Sequence, residues 1–165
     1  MYEQDIILLP IFDGFNKAQI DLIKSSINLC RFSEGLVIFE QGNPAVALYI
    51  LFHGEVLVEY KPYDGPPLTV AHILPGGVFG WSAALGRKNY TSSAITLVAS
   101  DAGCITCQNL HSIYEKDPET GGILIERFAG VVAEREGNSN PEILSLFSED
   151  LDLNVNSRRI FGNDK

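Results

Sequence analysis

Hydrophobic residues along this chain recur first at helical spacing and then at strand spacing. Residues 5–12 are apolar and predict a short helix that ends near Pro10, because helices tend to stop before a proline. Asn16 can cap a second helix that runs to about Asn28. The apolar stripe of this second helix consists of Ile20, Leu22, Ile23 and Ile27. After it the apolar period falls towards two, which indicates β-strands.

The middle of the chain predicts a succession of short strands separated by closely spaced turns. The predicted strands are residues 30–32, 36–39, 47–52, 55–60, 68–74, 91–99 and 102–107. We expect two hairpins among them, one turning at His53 and Gly54 and one turning at Ser100 and Asp101. The pattern indicates a mainly β fold with flanking helices, of the β-roll or jelly-roll class that is also called a double-stranded β-helix.

Two further helices are predicted after the strands. The first begins at Gln108 or Asn109 and ends at Lys116, and the second covers residues 119–135 with Pro118 near its first turn. The apolar face of the second helix consists of Ile123, Leu124, Phe128, Val131 and Val132. The breadth of this face favours a homodimer formed through it, and simple packing against the strands is the alternative.

Residues 1–136 are expected to form one domain, followed by a linker and an acidic to polar tail in residues 137–165. The basic residues of the tail are Arg158, Arg159 and Lys165. A helix-turn-helix reader of DNA needs at least two helices and a basic face. We therefore expect no DNA-binding domain in this part of the chain.

Composition narrows the classes of function. Hydrophobic residues make up 45% of the chain and charged residues 20%, as in ordinary soluble globular proteins. The net charge of −9 argues against nucleic acid as a partner. No apolar run is long enough to span a membrane. An acidic N-terminus and only three cysteines favour a reducing cytoplasm, since neither a signal peptide nor a disulfide framework is indicated.

Residues 74–85 carry the strongest candidate chemistry. Gly76 and Gly77 form a turn after a strand, and Gly80 allows another part of the backbone to come close. Ser82 can then cap a short helical turn. A glycine followed by the free N–H groups of a short helix is a ready site for an anion such as a phosphate.

Three segments resemble the cyclic nucleotide-binding domain family, the sensor module of CRP/FNR-type regulators, protein kinase A regulatory subunits and gated channels. Residues 32–42 are similar to the family's strand-turn-strand opening, residues 48–56 to its following hairpin, and residues 79–94 to its phosphate-binding cassette. The resemblance covers about residues 8–136. It implies a β-roll, a cyclic nucleotide such as cAMP or cGMP as the ligand, and helix 119–135 as a dimer seam and a lid near that ligand.

Two cassette positions depart from the family pattern. The family has a glutamate that accepts a hydrogen bond from the ribose hydroxyl, and this chain has Trp81 there, whose indole donates one hydrogen bond and accepts none. The family has an arginine that pairs with the cyclic phosphate, and this chain has Tyr90, which lacks the charge and fork of a guanidinium. Arg87 and Lys88 are candidate substitutes for that arginine, and a solvated loop tip is the alternative. These departures leave no ligand assigned, with a cyclic nucleotide (cAMP or cGMP) or another small anion as the candidates.

The local pattern and the resemblance together predict one set of ligand-binding residues. They are Phe79, Gly80, Trp81, Ser82, Ala83, Ala84, Arg87, Tyr90, Thr91 and Ser92. No catalytic residue and no metal ligand are predicted. Cys104 and Cys107 have a spacing that occurs in metal and redox sites, but they lie in a predicted strand, where residues three apart point to opposite faces.

Three functions remain open on the sequence. The first is a non-catalytic regulatory module that senses a small ligand and acts in trans on another protein. The second is a degenerate domain in which Trp81 fills the pocket and the chain serves as a dimerisation or protein-interaction scaffold. The third is a cupin-like enzyme, which needs a His-x-His metal pair. Because His53, His72 and His111 do not have that spacing, we expect no enzyme.

Overall fold

Two four-stranded antiparallel sheets make up the centre of the computed structural model, which describes residues 8–136. The strands are β1 (Asn28–Phe32), β2 (Val37–Phe39), β3 (Ala47–His53), β4 (Val56–Tyr60), β5 (Leu68–Ile73), β6 (Val78–Phe79), β7 (Ser93–Thr96) and β8 (Ser100–Thr106). The first sheet has the order β1-β8-β3-β6 and the second has the order β2-β7-β4-β5. The predicted jelly-roll class is confirmed, and the predicted linker and tail lie outside the described residues.

Helices flank the sheets. They are a 3-10 helix (Pro10–Phe12), α1 (Lys17–Ser26), α2 (Trp81–Ala84), α3 (Cys107–Lys116) and α4 (Pro118–Glu136). The structure has the predicted cap at Asn16, whose Oδ1 accepts a hydrogen bond from the Gln19 N–H at 2.9 Å, while the Gln19 side chain accepts one from the Asn16 N–H. Pro118 is the first residue of α4, where a fixed φ and a missing N–H carry no penalty.

Several predicted boundaries are wrong. The strand predicted over residues 91–99 covers only Ser93–Thr96, and β6 was not predicted as a strand. Pro10 begins the 3-10 helix instead of ending a helix, because proline is favoured at a first helical position. Cys107 is the first residue of α3 and not the end of a strand. Thr106 caps α3, since its Oγ1 accepts a hydrogen bond from the Asn109 N–H at 3.1 Å.

Neither predicted hairpin forms, because the chain changes sheet at each predicted turn. Strand β3 pairs with β6 and β8, whereas β4 pairs with β5 and β7. At the first turn Gly54 has a φ of +100°, and a Cβ atom there would lie 2.1 Å from Ser100 Oγ. The crossing therefore requires glycine and brings the two predicted turns into contact.

The first sheet separates two layers of hydrophobic core. The layer between this sheet and the helices includes Ile23, Leu48, Ile50, Ile105, Ile113 and Leu124. The layer between the two sheets includes Leu51, Val56, Ala71, Phe79, Ala94 and Ala102. Strand β3 contributes to both layers, so its residues are buried on both faces.

The predicted dimer seam on α4 is corrected by this packing. Leu124, Phe128 and Val132 are at most 1% exposed, since they pack in the layer between the helices and the first sheet. They cannot also contact a second copy of the chain. Ile123 and Val131 are half-buried, and a homodimer stays a prediction.

Although α4 has 19 residues, neither it nor another helix in residues 8–136 is apolar enough to cross a membrane.

The substitution Phe128→Ala is expected to lower the free energy of unfolding by about 3–5 kcal/mol, because it leaves a cavity between α4 and the first sheet. Val131→Ala, at a half-buried position of the same helix, should lower it much less. Urea unfolding followed by circular dichroism measures both values. Equal losses would contradict this packing of α4.

Candidate functional site

The cassette begins where β6 leads into α2 through Gly80. This residue has a φ of +77°, and a Cβ atom added to it would lie 2.9 Å from the Ala47 carbonyl oxygen of β3. Glycine is therefore required both by the backbone conformation and by the close approach. The cassette is pressed directly against the first strand residue of β3.

The predicted cap of the short helix is wrong by two residues. Gly80 occupies the cap position of α2 without a side-chain hydrogen bond, and Ser82 lies inside the helix. Ser82 is buried, and its Oγ is 3.3 Å from Thr91 Oγ1 on the returning segment. With only four residues, α2 supplies little of the macrodipole on which an anion site depends.

Tyr90, which the sequence resemblance places at the position of the family arginine, is held inside the protein. Its hydroxyl donates a hydrogen bond to the Ala47 carbonyl at 2.5 Å and accepts one from the Ala47 N–H at 3.1 Å. Its ring stacks on Phe39 with 3.7 Å between centroids. Burial raises the pKa of Tyr90, so the hydroxyl stays neutral. Both hydrogen-bonding roles of this hydroxyl are already used.

The stack on Tyr90 continues through further rings. Phe39 lies 5.9 Å from Tyr49, and Tyr49 lies 5.0 Å from Phe79 with nearly parallel planes. We call Phe39, Tyr49, Phe79 and Tyr90 the aromatic cluster. It fills the space between the two sheets behind the cassette, where apolar rings exclude water.

Trp81, which the sequence resemblance places at the position of the family glutamate, packs in the helix-side core layer. It is 6% exposed, and its ring meets the edge of Phe128 on α4 at a centroid distance of 6.5 Å. The cassette and α4 are thus in direct contact through two aromatic side chains. The indole Nε1 is buried and has no hydrogen-bond partner in the structure, an arrangement that carries a desolvation penalty.

A small cavity of about 40 Å³ lies beside the cassette. Its lining consists of Phe39, Val58, Val70, Phe79, Gly80, Trp81, Ser82, Tyr90, Thr91 and Ser92. Most of the predicted ligand-binding residues therefore meet at one place. Ligand pockets for drug-sized molecules have volumes of roughly 300–1,000 Å³, so this cavity has room for a few water molecules and not for a nucleotide.

Some predicted residues do not line the cavity, and some lining residues were not predicted. Ala83 and Ala84 are buried in the core, and Arg87 is half-buried in the loop after α2, where its N–H donates to the Ser82 carbonyl at 3.0 Å. Val58 and Val70 come from β4 and β5 of the second sheet. The alternating apolar pattern of these strands predicts only that Val58 and Val70 lie in the core. It does not show which residues of other strands they meet, so their place in the cavity could not be predicted.

A larger groove of about 500 Å³ lies elsewhere, on the outward-facing side of the second sheet. Its lining is Val37, Glu40, Gln41, Glu59, Lys61, Pro62, Pro67, Ser93 and Ile95. It contains none of the predicted cassette residues. The larger volume does not by itself make this groove the candidate site, because the residues predicted to bind a ligand line the smaller cavity.

The histidines and cysteines do not gather into a metal site within residues 8–136, where no group of three His, Cys, Asp or Glu side chains could hold an ion. His72 pairs with Glu55, and His111 Nε2 is 3.0 Å from a carboxylate oxygen of Glu115. The Cys107 thiol donates to the Ala83 carbonyl at 3.1 Å. Each of these side chains therefore has a local contact of its own.

Replacing Tyr90 with phenylalanine is expected to lower the free energy of unfolding by about 1–3 kcal/mol, because both polar groups of the Ala47 backbone lose a buried partner while the stacked ring remains. The matched control is Tyr63→Phe at a fully exposed position, which should leave stability unchanged. Denaturant titrations of the two variants provide the comparison. If Tyr90→Phe were as stable as the unmodified chain, the Ala47 bonds would not hold the cassette.

Curated relatives include gene regulators and an enzyme. Over 141 residues the chain is 26% identical to the CRP-like cAMP-activated global transcriptional regulator of Mycobacterium tuberculosis, an alignment that covers 86% of this chain and 61% of the relative. It is 28% identical over 91 residues to the acetyltransferase Pat of Mycolicibacterium smegmatis, covering 55% of this chain and 27% of that protein. The chain thus spans less than two thirds of the length of these relatives.

Solved structures and a family profile agree with these matches. A crystal structure of a candidate cyclic nucleotide-binding protein from Geobacter metallireducens matches with a TM-score of 0.70 and 25% identity, covering 82% of this chain and 98% of that one. The profile of the cyclic nucleotide-binding domain matches residues 29–117, which include β1 to β8 except for the first residue of β1, together with α2 and α3. The chain belongs to the cyclic nucleotide-binding domain family.

Proposed function

We propose that this chain is a non-catalytic regulatory module that acts in trans through contact with another protein, and that its own aromatic side chains occupy its cyclic nucleotide site. The observation that carries the proposal is the position of Tyr90. Its hydroxyl is bonded to both backbone groups of Ala47, and its ring is stacked within the aromatic cluster. This geometry favours the second function considered for the sequence, a scaffold with a filled pocket, with one change: Tyr90 and the aromatic cluster fill the space, whereas the Trp81 ring that was expected there packs against Phe128 of α4.

The energetic argument concerns the missing charge pair. Losing a charge-assisted partner for the phosphate weakens binding by about 2–5 kcal/mol, which is a factor of roughly 30 to several thousand in affinity. A nucleotide would also have to displace Tyr90 and leave the Ala47 groups without their partner, at about 1–3 kcal/mol more. Both terms oppose cyclic nucleotide binding in this conformation.

The contact between Trp81 and Phe128 supplies a route for regulation. It joins the cassette to α4, so a partner that binds one conformation of α4 more tightly would also select one position of the cassette. Regulation by protein contact therefore needs no bound nucleotide. The similarity to a transcriptional regulator supports a regulatory role, and the DNA-reading part of such a protein is not part of the proposal.

A ligand sensor is the second candidate, and one observation favours it. The indole N–H of Trp81 is a buried donor without a partner, next to a cavity lined by the hydroxyl groups of Ser82, Thr91 and Ser92. A small ligand with an acceptor oxygen would remove the desolvation penalty of that donor. This ligand would have to fit a cavity of about 40 Å³ or rearrange the residues around it.

Titration with cAMP and with cGMP tests the proposal. Trp81 is the only tryptophan, so its fluorescence reports on the cassette directly. We expect no saturable change up to about 1 mM nucleotide, a range that detects binding as weak as about −4 kcal/mol. We also expect no rise in Tm, because binding to the folded state would stabilise it. A saturable change together with a higher Tm would overturn the proposal in favour of the ligand sensor.

The matched variant Trp81→Glu with Tyr90→Arg restores both family residues. We expect it to gain nucleotide binding that calorimetry can measure, since the carboxylate can accept from a ribose hydroxyl and the guanidinium can pair with phosphate. Circular dichroism shows whether the variant is folded. A folded variant that still binds no cyclic nucleotide would mean that residues 81 and 90 are not the family positions.

A further inference from the structure

A pair of cysteines lies next to the aromatic cluster, on the face of the first sheet that packs against the second sheet. In the register of the strands, Cys104 of β8 is opposite Tyr49 of β3 on one side and opposite Asn28 of β1 on the other. Cys30 is two residues after Asn28, so it is the diagonal neighbour of Cys104 on the same face. These two thiols are far apart in sequence and adjacent in the sheet.

Two thiols and a phenol lie side by side on this face. Cys104 is within electrostatic range of both Cys30 and Tyr49. The Cys30 thiol in turn is 3.8 Å from the Asn28 carbonyl oxygen. Both cysteines are partly accessible to solvent, so a small reagent can reach them. The sequence spacing of Cys104 and Cys107 does not describe this pair, because the thiol that meets Cys104 is Cys30.

We propose that Cys30 and Cys104 are a redox-sensitive thiol pair, which an oxidant of the peroxide class closes into an intramolecular disulfide. Nothing in the proposed regulatory role requires this pair, and the inference goes beyond that role. Closure needs a small movement, since diagonal Cα atoms are about 7–8 Å apart and a disulfide spans about 4.4–6.8 Å. Strand β1 can make it, because β1 is an edge strand with β8 as its neighbour in the sheet.

The reaction has two balanced steps. The Cys30 thiolate attacks a peroxide oxygen, so that an S–O bond forms, the O–O bond breaks and hydroxide leaves. The Cys104 thiolate then attacks the sulfenic sulfur of Cys30, so that the S–S bond forms, the S–O bond breaks and a second hydroxide leaves. The protons of the two thiols convert the hydroxides into water. Sulfur gives up two electrons, and hydrogen peroxide accepts them.

The surroundings of Cys104 indicate which of the two thiols reacts with peroxide first. Burial, followed by the contact with Cys30, raises the pKa of Cys104 to about 11, so little of its thiolate is present at neutral pH. The first attack on peroxide is therefore assigned to Cys30, and Cys104 resolves the sulfenic acid. Because the thiolate fraction of Cys104 grows with pH below that pKa, closure should be faster at pH 8 than at pH 7.

Formation of the disulfide would affect the cassette through Tyr49. Cys104 is directly opposite Tyr49 in the register of β8 and β3, and Tyr49 is stacked on Phe79 immediately before Gly80. Oxidation would thus change the packing of Phe79, which lines the small cavity.

Thiol mapping of the reduced 165-residue chain tests the inference. The folded protein is treated with millimolar hydrogen peroxide, alkylated under denaturing conditions, digested and analysed by mass spectrometry. We expect a peptide that links Cys30 to Cys104, an intact mass lower by the two thiol hydrogens, and reversal by dithiothreitol. Cys107→Ser is the matched control, since the Cys107 thiol donates to the Ala83 and Ala45 carbonyls instead.

Single variants separate the two steps. Cys104→Ser should accumulate a Cys30 sulfenic acid that dimedone traps, and Cys30→Ser should form no intramolecular disulfide. The inference is overturned if Cys30 and Cys104 remain fully alkylated in the folded protein under peroxide, or if the linked peptides contain Cys107 or join two chains. Circular dichroism before oxidation shows that each variant is folded.

Discussion

The position of the cassette depends on contacts with the backbone N–H and carbonyl of Ala47. One tyrosine hydroxyl satisfies both its N–H and its carbonyl, and the backbone of Gly80 approaches the same carbonyl too closely for any side chain at that position. These contacts fix both ends of the cassette to the start of β3. The ring of Tyr90 is thereby held against Phe39, and the space between the sheets is filled by rings.

Local features of the fold could be predicted because they depend on neighbouring residues. The capping box at Asn16 and the position of Pro118 need only a few adjacent positions, and the limits of most strands follow from the change in apolar period. The strand partners could not be predicted in this way. Gly54 is crowded by Ser100, and only the folded chain shows that the two turns meet. Alternation assigns a residue to a face, and both sheets offer suitable faces.

The sequence predicted where the candidate site lies in the chain, but not how the side chains of that site are arranged. Motif spacing located the cassette, and most of its residues do line one cavity. What the spacing could not show is that the Tyr90 hydroxyl would find both its partners on β3, or that the Trp81 ring would turn towards α4. Both outcomes depend on residues distant in sequence. The thiol pair was missed for the same reason, because Cys30 and Cys104 become neighbours only through strand register.

The burial of Trp81 has a consequence for how variants of this protein are interpreted. The residue through which the proposed regulation would pass is also part of the hydrophobic core that holds α4 to the first sheet. Under the proposed function, folding and regulation share one side chain, and selection on position 81 acts on both properties at once. A change there that altered regulation would arrive together with a change in the amount of folded protein, so abundance has to be measured alongside activity.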